Sequence, residues 1–118
     1  MIIFISSRGK DQNSKPSLRF GRAPFFIQFD TENKTWQSFE NKAVSASGGA
    51  GVAASQFLID QQASVVISRN FGPNAYNSLS SAGIQLFTYN NDVSSVEEVL
   101  NEYNNGELHE VPFKGIIP

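Results

Sequence analysis

The sequence predicts an α/β protein with a mixed sheet and helices on both of its faces. Three observations indicate this: short apolar runs typical of buried strands, segments with apolar residues at helical spacing, and glycine- or serine-bearing turns where the two kinds of segment meet. Along the chain, three strands come first and helices then alternate with strands, which gives the order β-β-β-α-β-α-β-α.

The first three predicted strands precede any helix. Residues 2–5 form a continuous apolar run, and residues 24–29 and 35–39 flank a turn at 30–34, so the second and third strands are predicted to form a hairpin. Residues 6–21, between the first two strands, are polar and basic. This composition favours a solvated, partly flexible loop over a lid that closes on a ligand.

The remaining elements have recognisable starts and ends. Pro73 suits a first helical turn, Gly83 is placed to end that helix, and Ser95 with Glu98 forms a possible capping box. The tail from Glu107 is compatible with a short edge strand or with packing across the surface. In chain order, the predicted helices and strands after the hairpin lie at residues 50–61, 64–68, 73–82, 84–88 and 95–106.

The predicted order of elements brings all three helix starts to one edge of the sheet. Right-handed crossovers place the first two helices on one face and the third helix on the other. The helices begin at the carboxyl ends of the parallel strands, where open α/β sheets bind their ligands. We therefore look for a ligand site at this edge.

Two glycine-bearing turns at that edge are the candidate ligand-binding elements. Each opens a helix, and an uncapped helix start offers backbone N–H groups and positive dipole to an anion. We expect these N–H groups to point into one cavity with Arg22 and Arg69 at its rim. A dinucleotide fingerprint is disfavoured, because no apolar strand precedes Gly49 and no acid follows at the expected distance. The predicted ligand-binding residues are Arg19, Arg22, Ser47, Gly48, Gly49, Gly51, Arg69, Phe71, Gly72 and Asn74.

Composition excludes several function classes. The 118 residues are expected to form one domain (1–118), and the absence of cysteine excludes disulfides and thiolate metal sites within it. The net charge of −2 gives no case for nucleic acid, and no apolar stretch reaches membrane-spanning length or resembles a signal peptide. Without such a stretch we expect a cytoplasmic protein. The first strand has no carboxylate and no histidine lies near a serine in sequence, so we expect that it is not an enzyme.

Three stretches, in this order, resemble the dinitrogenase iron–molybdenum cofactor biosynthesis family. They are Arg19-Phe20-Gly21-Arg22, Gly48-Gly49-Ala50-Gly51 and Phe71-Gly72-Pro73-Asn74, and the resemblance extends over residues 2–106. It implies a three-layer α/β/α sandwich with a ribonuclease H-like motif, whose five-stranded sheet has the order 3-2-1-4-5 with strand 2 antiparallel. It also implies a nitrogenase accessory factor-like function, in which the ligand is an iron–molybdenum cofactor or a precursor cluster.

The chain departs from this family pattern at one position. Cluster-handling relatives often place a histidine just before the Phe-Gly pair, where this chain has Arg19, and its one histidine, His109, lies outside every matched stretch. We therefore predict no metal ligand and no tightly bound cofactor, with any cluster held electrostatically. The first hypothesis is a small protein that binds an anion at the carboxyl edge. The alternatives are a protein-interaction module without a small ligand and, third, an enzyme acting on a phosphorylated metabolite.

Overall fold

The computed structural model describes residues 1–45, 47–90 and 92–111 and contains a six-stranded mixed sheet. Its strand order is β3-β2-β1-β4-β5-β6. β4 and β5 run parallel to β1, whereas β2 is antiparallel to both of its neighbours. The predicted order 3-2-1-4-5 with an antiparallel second strand is confirmed. The strands are β1 (Ile2–Ser7), β2 (Phe25–Asp30), β3 (Thr35–Glu40), β4 (Val65–Ile67), β5 (Gln85–Thr88) and β6 (His109–Glu110).

The sheet has one strand more than the five predicted. β6 pairs antiparallel with β5, with His109 opposite Thr88, and the N–H of Val111 donates to Leu86 O at 2.8 Å. A two-residue strand is too short to show an alternating pattern, so the sequence left open whether the tail pairs or only packs. Residues 112–118 of that tail lie outside the described residues.

Three helices cover the two faces as predicted: α1 (Ala50–Asp60), α2 (Pro73–Ser81) and α3 (Val96–Asn104). Side chains alternate along each strand, so neighbouring residues supply two separate cores. α1 and α2 pack on the face that carries Phe4, Val66 and Leu86. α3 packs on the opposite face, which carries Ile3, Ile5, Val65 and Ile67. The three-layer arrangement is therefore confirmed.

The basic stretch between β1 and β2 differs from the solvated loop predicted for it. Ser17 is buried, its N–H donates to Ser6 O at 3.0 Å, and Ser6 Oγ donates to Ser17 O at 3.0 Å. Phe20 is also buried, and its ring lies 5.2 Å from that of Phe26. These contacts hold the following segment, residues 19–22, in a defined position against the sheet.

No helix among the described residues is long and apolar enough to cross a membrane.

Candidate functional site

α1 begins at the carboxyl edge without a side-chain cap. Its N-cap is Gly49, whose φ of 72° lies in the left-handed region that glycine adopts without strain. The first helical hydrogen bond runs from the N–H of Ala53 to Gly49 O at 3.0 Å. The N–H groups of residues 50–52 therefore precede the hydrogen-bonded ladder of the helix.

α2 begins in the same way beside it. Its N-cap is Gly72, in an extended conformation and again without a side-chain cap, and Pro73 occupies the first helical turn. The N–H of Tyr76 donates to Gly72 O at 2.9 Å, so the N–H groups of Asn74 and Ala75 precede the ladder of this helix. Within the described residues, the backbone N–H groups at both helix starts have no hydrogen-bond partner in the fold.

The two helix starts line one cavity of about 340 Å³, which we name the edge cavity. Its walls come from three continuous segments, residues 19–22, 49–52 and 70–75. Among the described residues that line it, none is an aspartate or a glutamate. The cavity therefore combines two positive helix ends and two arginines without a compensating carboxylate.

Small residues allow the three segments to approach one another. A Cβ atom added to Gly21 would lie 3.1 Å from both the Cα and the N of Gly51, which is too close for the backbone to remain in place. On its other side, a Cβ atom on Gly51 would lie 3.4 Å from the Cβ of Ala75. The contact between Gly21 and Gly51 therefore brings the arginine segment directly against the start of α1.

Asn70 joins the arginine segment to the turn before α2. Asn70 O accepts a hydrogen bond from the N–H of Phe20 at 3.1 Å, and its Nδ2 donates to Leu18 O at 3.3 Å. The rings of Phe20 and Phe71 lie 5.5 Å apart across the same junction. Asn70 is not among the predicted ligand-binding residues, because its role depends on a partner about 50 residues earlier in the chain.

Asn41 is a second residue that sequence reasoning missed. It is buried, and its Nδ2 donates to Gly21 O at 3.2 Å and to Ala23 O at 2.8 Å. Its Oδ1 accepts from the N–H of Ala43 at 3.1 Å, which fixes the turn after β3. That turn presents Val44 O, which accepts from Nη1 of Arg22 at 2.8 Å. Asn41 therefore fixes both the backbone and the side chain of the segment that bears Arg22.

The structure brings seven of the ten predicted site residues to the edge cavity; their role in ligand binding stays a prediction. Arg19 and Arg22 are both exposed at its wall. Within the part of the chain that the structure describes, the Arg19 guanidinium has no hydrogen-bond or ion-pair partner. The seven residues are Arg19, Arg22, Gly49, Gly51, Phe71, Gly72 and Asn74.

Arg69 does not occupy the rim position that we expected. Its Nη1 lies 3.5 Å from Asp92 Oδ1, and its Nη2 donates to Asn90 O at 3.2 Å. The reason is strand alternation: Arg69 follows Val65 and Ile67 at intervals of two, and those residues face α3. The edge cavity lies on the side of α1 and α2, so Arg69 points away from it.

Ser47 and Gly48 also differ from their expected place. Both are exposed and precede the N-cap of α1, and neither is among the described residues that line the edge cavity. A Cβ atom added to Gly48 would meet no atom within 4 Å. In the turn before α1, the first residue that lines the edge cavity is therefore Gly49, two residues later than the predicted Ser47.

The edge cavity offers hydrogen-bond donors and not metal ligands. Iron and other transition metals bind thiolate, imidazole or carboxylate groups. The described residues of its wall supply guanidinium groups, backbone N–H groups and the amide groups of Asn70 and Asn74. Such a wall can hold negative charge through the outer atoms of a ligand, and its described residues offer no thiolate, imidazole or carboxylate to iron.

Residues 1–106 match the family described as dinitrogenase iron-molybdenum cofactor. The chain belongs to this family. The resemblance drawn from the three motifs is therefore confirmed. A comparison with curated proteins gives no significant match.

Solved structures share the fold of this iron–molybdenum cofactor family chain. The apo form of the orange protein from Desulfovibrio gigas is 25% identical, with a TM-score of 0.87, and the alignment covers 93% of this chain and 92% of that one. A Thermotoga protein described as NifB-like and assigned to the DUF35 family is 31% identical, with a TM-score of 0.81. That alignment covers 97% of this chain and 98% of the Thermotoga protein.

Proposed function

We propose that this protein binds an anionic ligand, a metal cluster or a ligand of similar charge, in the edge cavity. One observation carries the proposal: two uncapped helix starts and two arginines converge on a single cavity whose described lining has no carboxylate. Backbone N–H groups at a helix start and guanidinium groups are the donors that bind anions in proteins. The protein acts as a binding or accessory protein and not as an enzyme.

Family membership indicates the chemical class of the ligand. An iron–molybdenum cofactor or a precursor cluster is the cargo that the family description suggests. In this chain such a cluster would be held by charge and by hydrogen bonds to its outer atoms, because the described wall has no thiolate, imidazole or carboxylate. Binding of this kind weakens as the salt concentration rises.

Titration of inorganic phosphate into isotope-labelled protein tests the anion site without requiring the cargo. We expect the largest NMR shift changes at the amide groups of residues 50–52, 74 and 75. Arg19→Ala is expected to weaken phosphate binding about 10- to 100-fold, because it removes a charge-assisted hydrogen bond worth about 1.5–3 kcal/mol. The variant removes no hydrogen bond of the described fold, so its stability should stay close to that of the wild type.

Lys15→Ala is the matched control, because Lys15 belongs to the same basic stretch but does not line the edge cavity. It is expected to change phosphate affinity less than about threefold, through long-range charge alone. Phosphate shifts located elsewhere, or equal losses in both variants, would contradict the site.

A second experiment addresses the cargo. Anaerobic reconstitution with iron and sulfide is expected to give only weak, salt-sensitive association. A stoichiometric cluster that survives high salt would contradict electrostatic binding. Its loss in His109→Ala would identify a ligand outside the edge cavity.

A further inference from the structure

β3 is an edge strand that is regular along its whole length. It pairs with β2 in unbroken antiparallel register, from Thr35 opposite Asp30 to Glu40 opposite Phe25. Within the described residues its outer side has no neighbouring strand, and its six residues include no proline or bulge. At the opposite edge β6 has only two residues. A long, regular edge of this kind is a template for pairing with another strand.

The hydrogen-bonding pattern shows which groups of β3 face outward. The N–H of Asn41 donates to Pro24 O at 2.9 Å, so Asn41 faces β2. Inward and outward residues alternate along an antiparallel strand. The N–H and C=O groups of Trp36, Ser38 and Glu40 therefore point away from the sheet, which is the arrangement that a second antiparallel strand requires.

Charged residues flank β3 in a repeated pattern. The triplet Glu-Asn-Lys occurs before the strand at residues 32–34 and again at its end at residues 40–42. The two glutamates and two lysines are exposed, and none forms an ion pair within the part of the chain that the structure describes. If two copies of β3 pair antiparallel about Gln37, the ladder brings Lys34 of one copy beside Glu40 of the other, at both of its ends. Lys34 is the turn residue that directly precedes β3, with a φ of 57°, so it adjoins the ladder without being part of it.

The neighbouring registers lose this pairing. A twofold axis perpendicular to the sheet keeps each side chain on its own face, so the axis lies between the two copies of a single residue. An axis at Trp36 brings Lys34 beside Ser38, and an axis at Ser38 places Glu40 opposite Trp36. Of these three registers, only the one about Gln37 brings Lys34 and Glu40 together.

A groove beside β3 is compatible with the same arrangement. It has a volume of about 610 Å³ and lies on the α1 side, where Phe39, Ala43, Ala53 and Phe57 contribute to its wall. In the Gln37 register, Thr35 of the second copy lies opposite Phe39 on this face. Its methyl group would cover part of an aromatic surface that solvent otherwise reaches.

We propose that the protein forms a twofold dimer through antiparallel pairing of β3 with β3 about Gln37. Two sheets then join into one continuous sheet, with Trp36 of each copy hydrogen-bonded to Ser38 of the other. The edge cavity is not part of this contact, so the dimer does not depend on the proposed ligand. Either proposal can fail without the other.

Sedimentation equilibrium of the full chain over a range of concentrations tests the dimer. We expect a species of twice the 13.0 kDa chain mass. A monomer at every concentration up to about millimolar, where association would be only about −4 kcal/mol, overturns the proposal and leaves the edge to solvent or to a different protein.

Charge reversal tests the register. Lys34→Glu and Glu40→Lys each replace two unlike pairs by two like pairs, so each should raise the dimer dissociation constant at least about tenfold. The double variant restores unlike pairs and should return the constant to within about threefold of wild type. Lys15→Glu, which makes the same charge change far from β3, is the control. A dimer indifferent to the single variants, or a double variant that is not rescued, overturns the register.

Amide hydrogen exchange provides a readout that folding alone does not change. The N–H groups of Trp36, Ser38 and Glu40 are expected to be protected in the dimer and to exchange rapidly in the Lys34→Glu variant. The inward N–H of Asn41 should stay protected in both. Rapid exchange at the three outward positions in the dimer would show that another surface forms it.

Discussion

At the carboxyl edge, the helix starts on the two faces of the sheet differ in the hydrogen-bond partners of their N–H groups. At α3 the protein supplies the partners itself: Ser95 Oγ accepts from the N–H of Glu98 at 3.1 Å, and the N–H groups of Val96 and Glu97 donate to the carbonyls of Ser14 and Gln12 at 2.9 and 2.8 Å. α1 and α2 begin with glycines that offer no side-chain cap.

The basic stretch between β1 and β2 accounts for this difference. Residues 12–14 cover the start of α3, whereas residues 19–22 pass beside α1 and α2 and leave the edge cavity between them. All three helix starts carry the same positive dipole, and partners for their N–H groups decide what that dipole can do. The position of the loop, more than the helix ends themselves, therefore separates a closed helix start from an open one.

The largest effect on stability is expected from overpacking the contact between residues 19–22 and the start of α1. Gly21→Val places side-chain atoms against the backbone of Gly51 and should lower the free energy of unfolding by about 1–3 kcal/mol. It should also weaken phosphate binding, because the arginine segment moves away from α1. Chemical denaturation and phosphate titration measure the two effects.

Gly48→Ala is the matched control, since its Cβ atom meets nothing within 4 Å. It should change the free energy of unfolding by no more than about 0.5 kcal/mol. Full stability of Gly21→Val would show that the segments are not held in close contact.

Removing the side-chain cap at the start of α3 should have a smaller effect on stability. Ser95→Ala removes the cap of α3 and is expected to lower the free energy of unfolding by about 1 kcal/mol. The loop carbonyls still cover the N–H groups of Val96 and Glu97, so no anion site should appear there. Thermal unfolding and phosphate titration check the two expectations. New phosphate shifts at the start of α3 would contradict the role assigned to the loop.

On the α3 face of the sheet, one buried polar group is not satisfied by the protein. Tyr89 is buried, and its hydroxyl has no hydrogen-bond partner among the described residues. Burial raises the pKa of Tyr89 to about 12, against the opposing effect of the Arg69 charge. Tyr89→Phe removes an unsatisfied hydroxyl and should raise the free energy of unfolding by about 0.5–1 kcal/mol.

The pH dependence identifies this hydroxyl. The folded state holds the Tyr89 proton more tightly than the unfolded state, whose tyrosine pKa is about 10. Tyr89 is neutral in both states below about pH 10, so the free energy of unfolding does not depend on its titration there. As the pH rises from about 10 through about 12, the unfolded state ionises first and the free energy of unfolding falls. Unfolding in that range should show a larger loss of stability in the wild type than in Tyr89→Phe, which keeps the contribution of Tyr103, whose pKa burial also raises. Equal slopes in the two proteins would mean that another group titrates.

The order of the elements and the two glycine turns could be predicted because they depend on local signals. Apolar runs, helical spacing, glycine and proline are visible in single segments, and the crossover rule then places them in the sheet. The roles of Asn41 and Asn70 depend on carbonyl groups distant in sequence, which no local pattern shows. The Ser95 cap was predicted, but Glu98 receives its hydrogen bonds from Ser94 and not from Ser95.

Arg69 is a different kind of failure, because strand alternation alone could have placed it on the α3 side. Its position in the turn before α2 predicts the rim of the cavity. Its side chain instead joins the ends of β4 and β5, through Asn90 O and the exposed carboxylate of Asp92. Such an exposed ion pair contributes little to stability.

Arg69→Ala should therefore have the smallest effect of the series. The stability change should be below that of Tyr89→Phe, and phosphate affinity should stay within about twofold of wild type, because only long-range charge is lost. Since the Arg69 charge lowers the pKa of Tyr89, that pKa should rise further in the variant. Phosphate titrations of Arg69→Ala and Arg19→Ala, compared under the same conditions, test this expectation. If Arg69→Ala instead weakens binding about tenfold or more, the anion lies on the α3 side, and the contrast between an open and a closed helix start must be reversed.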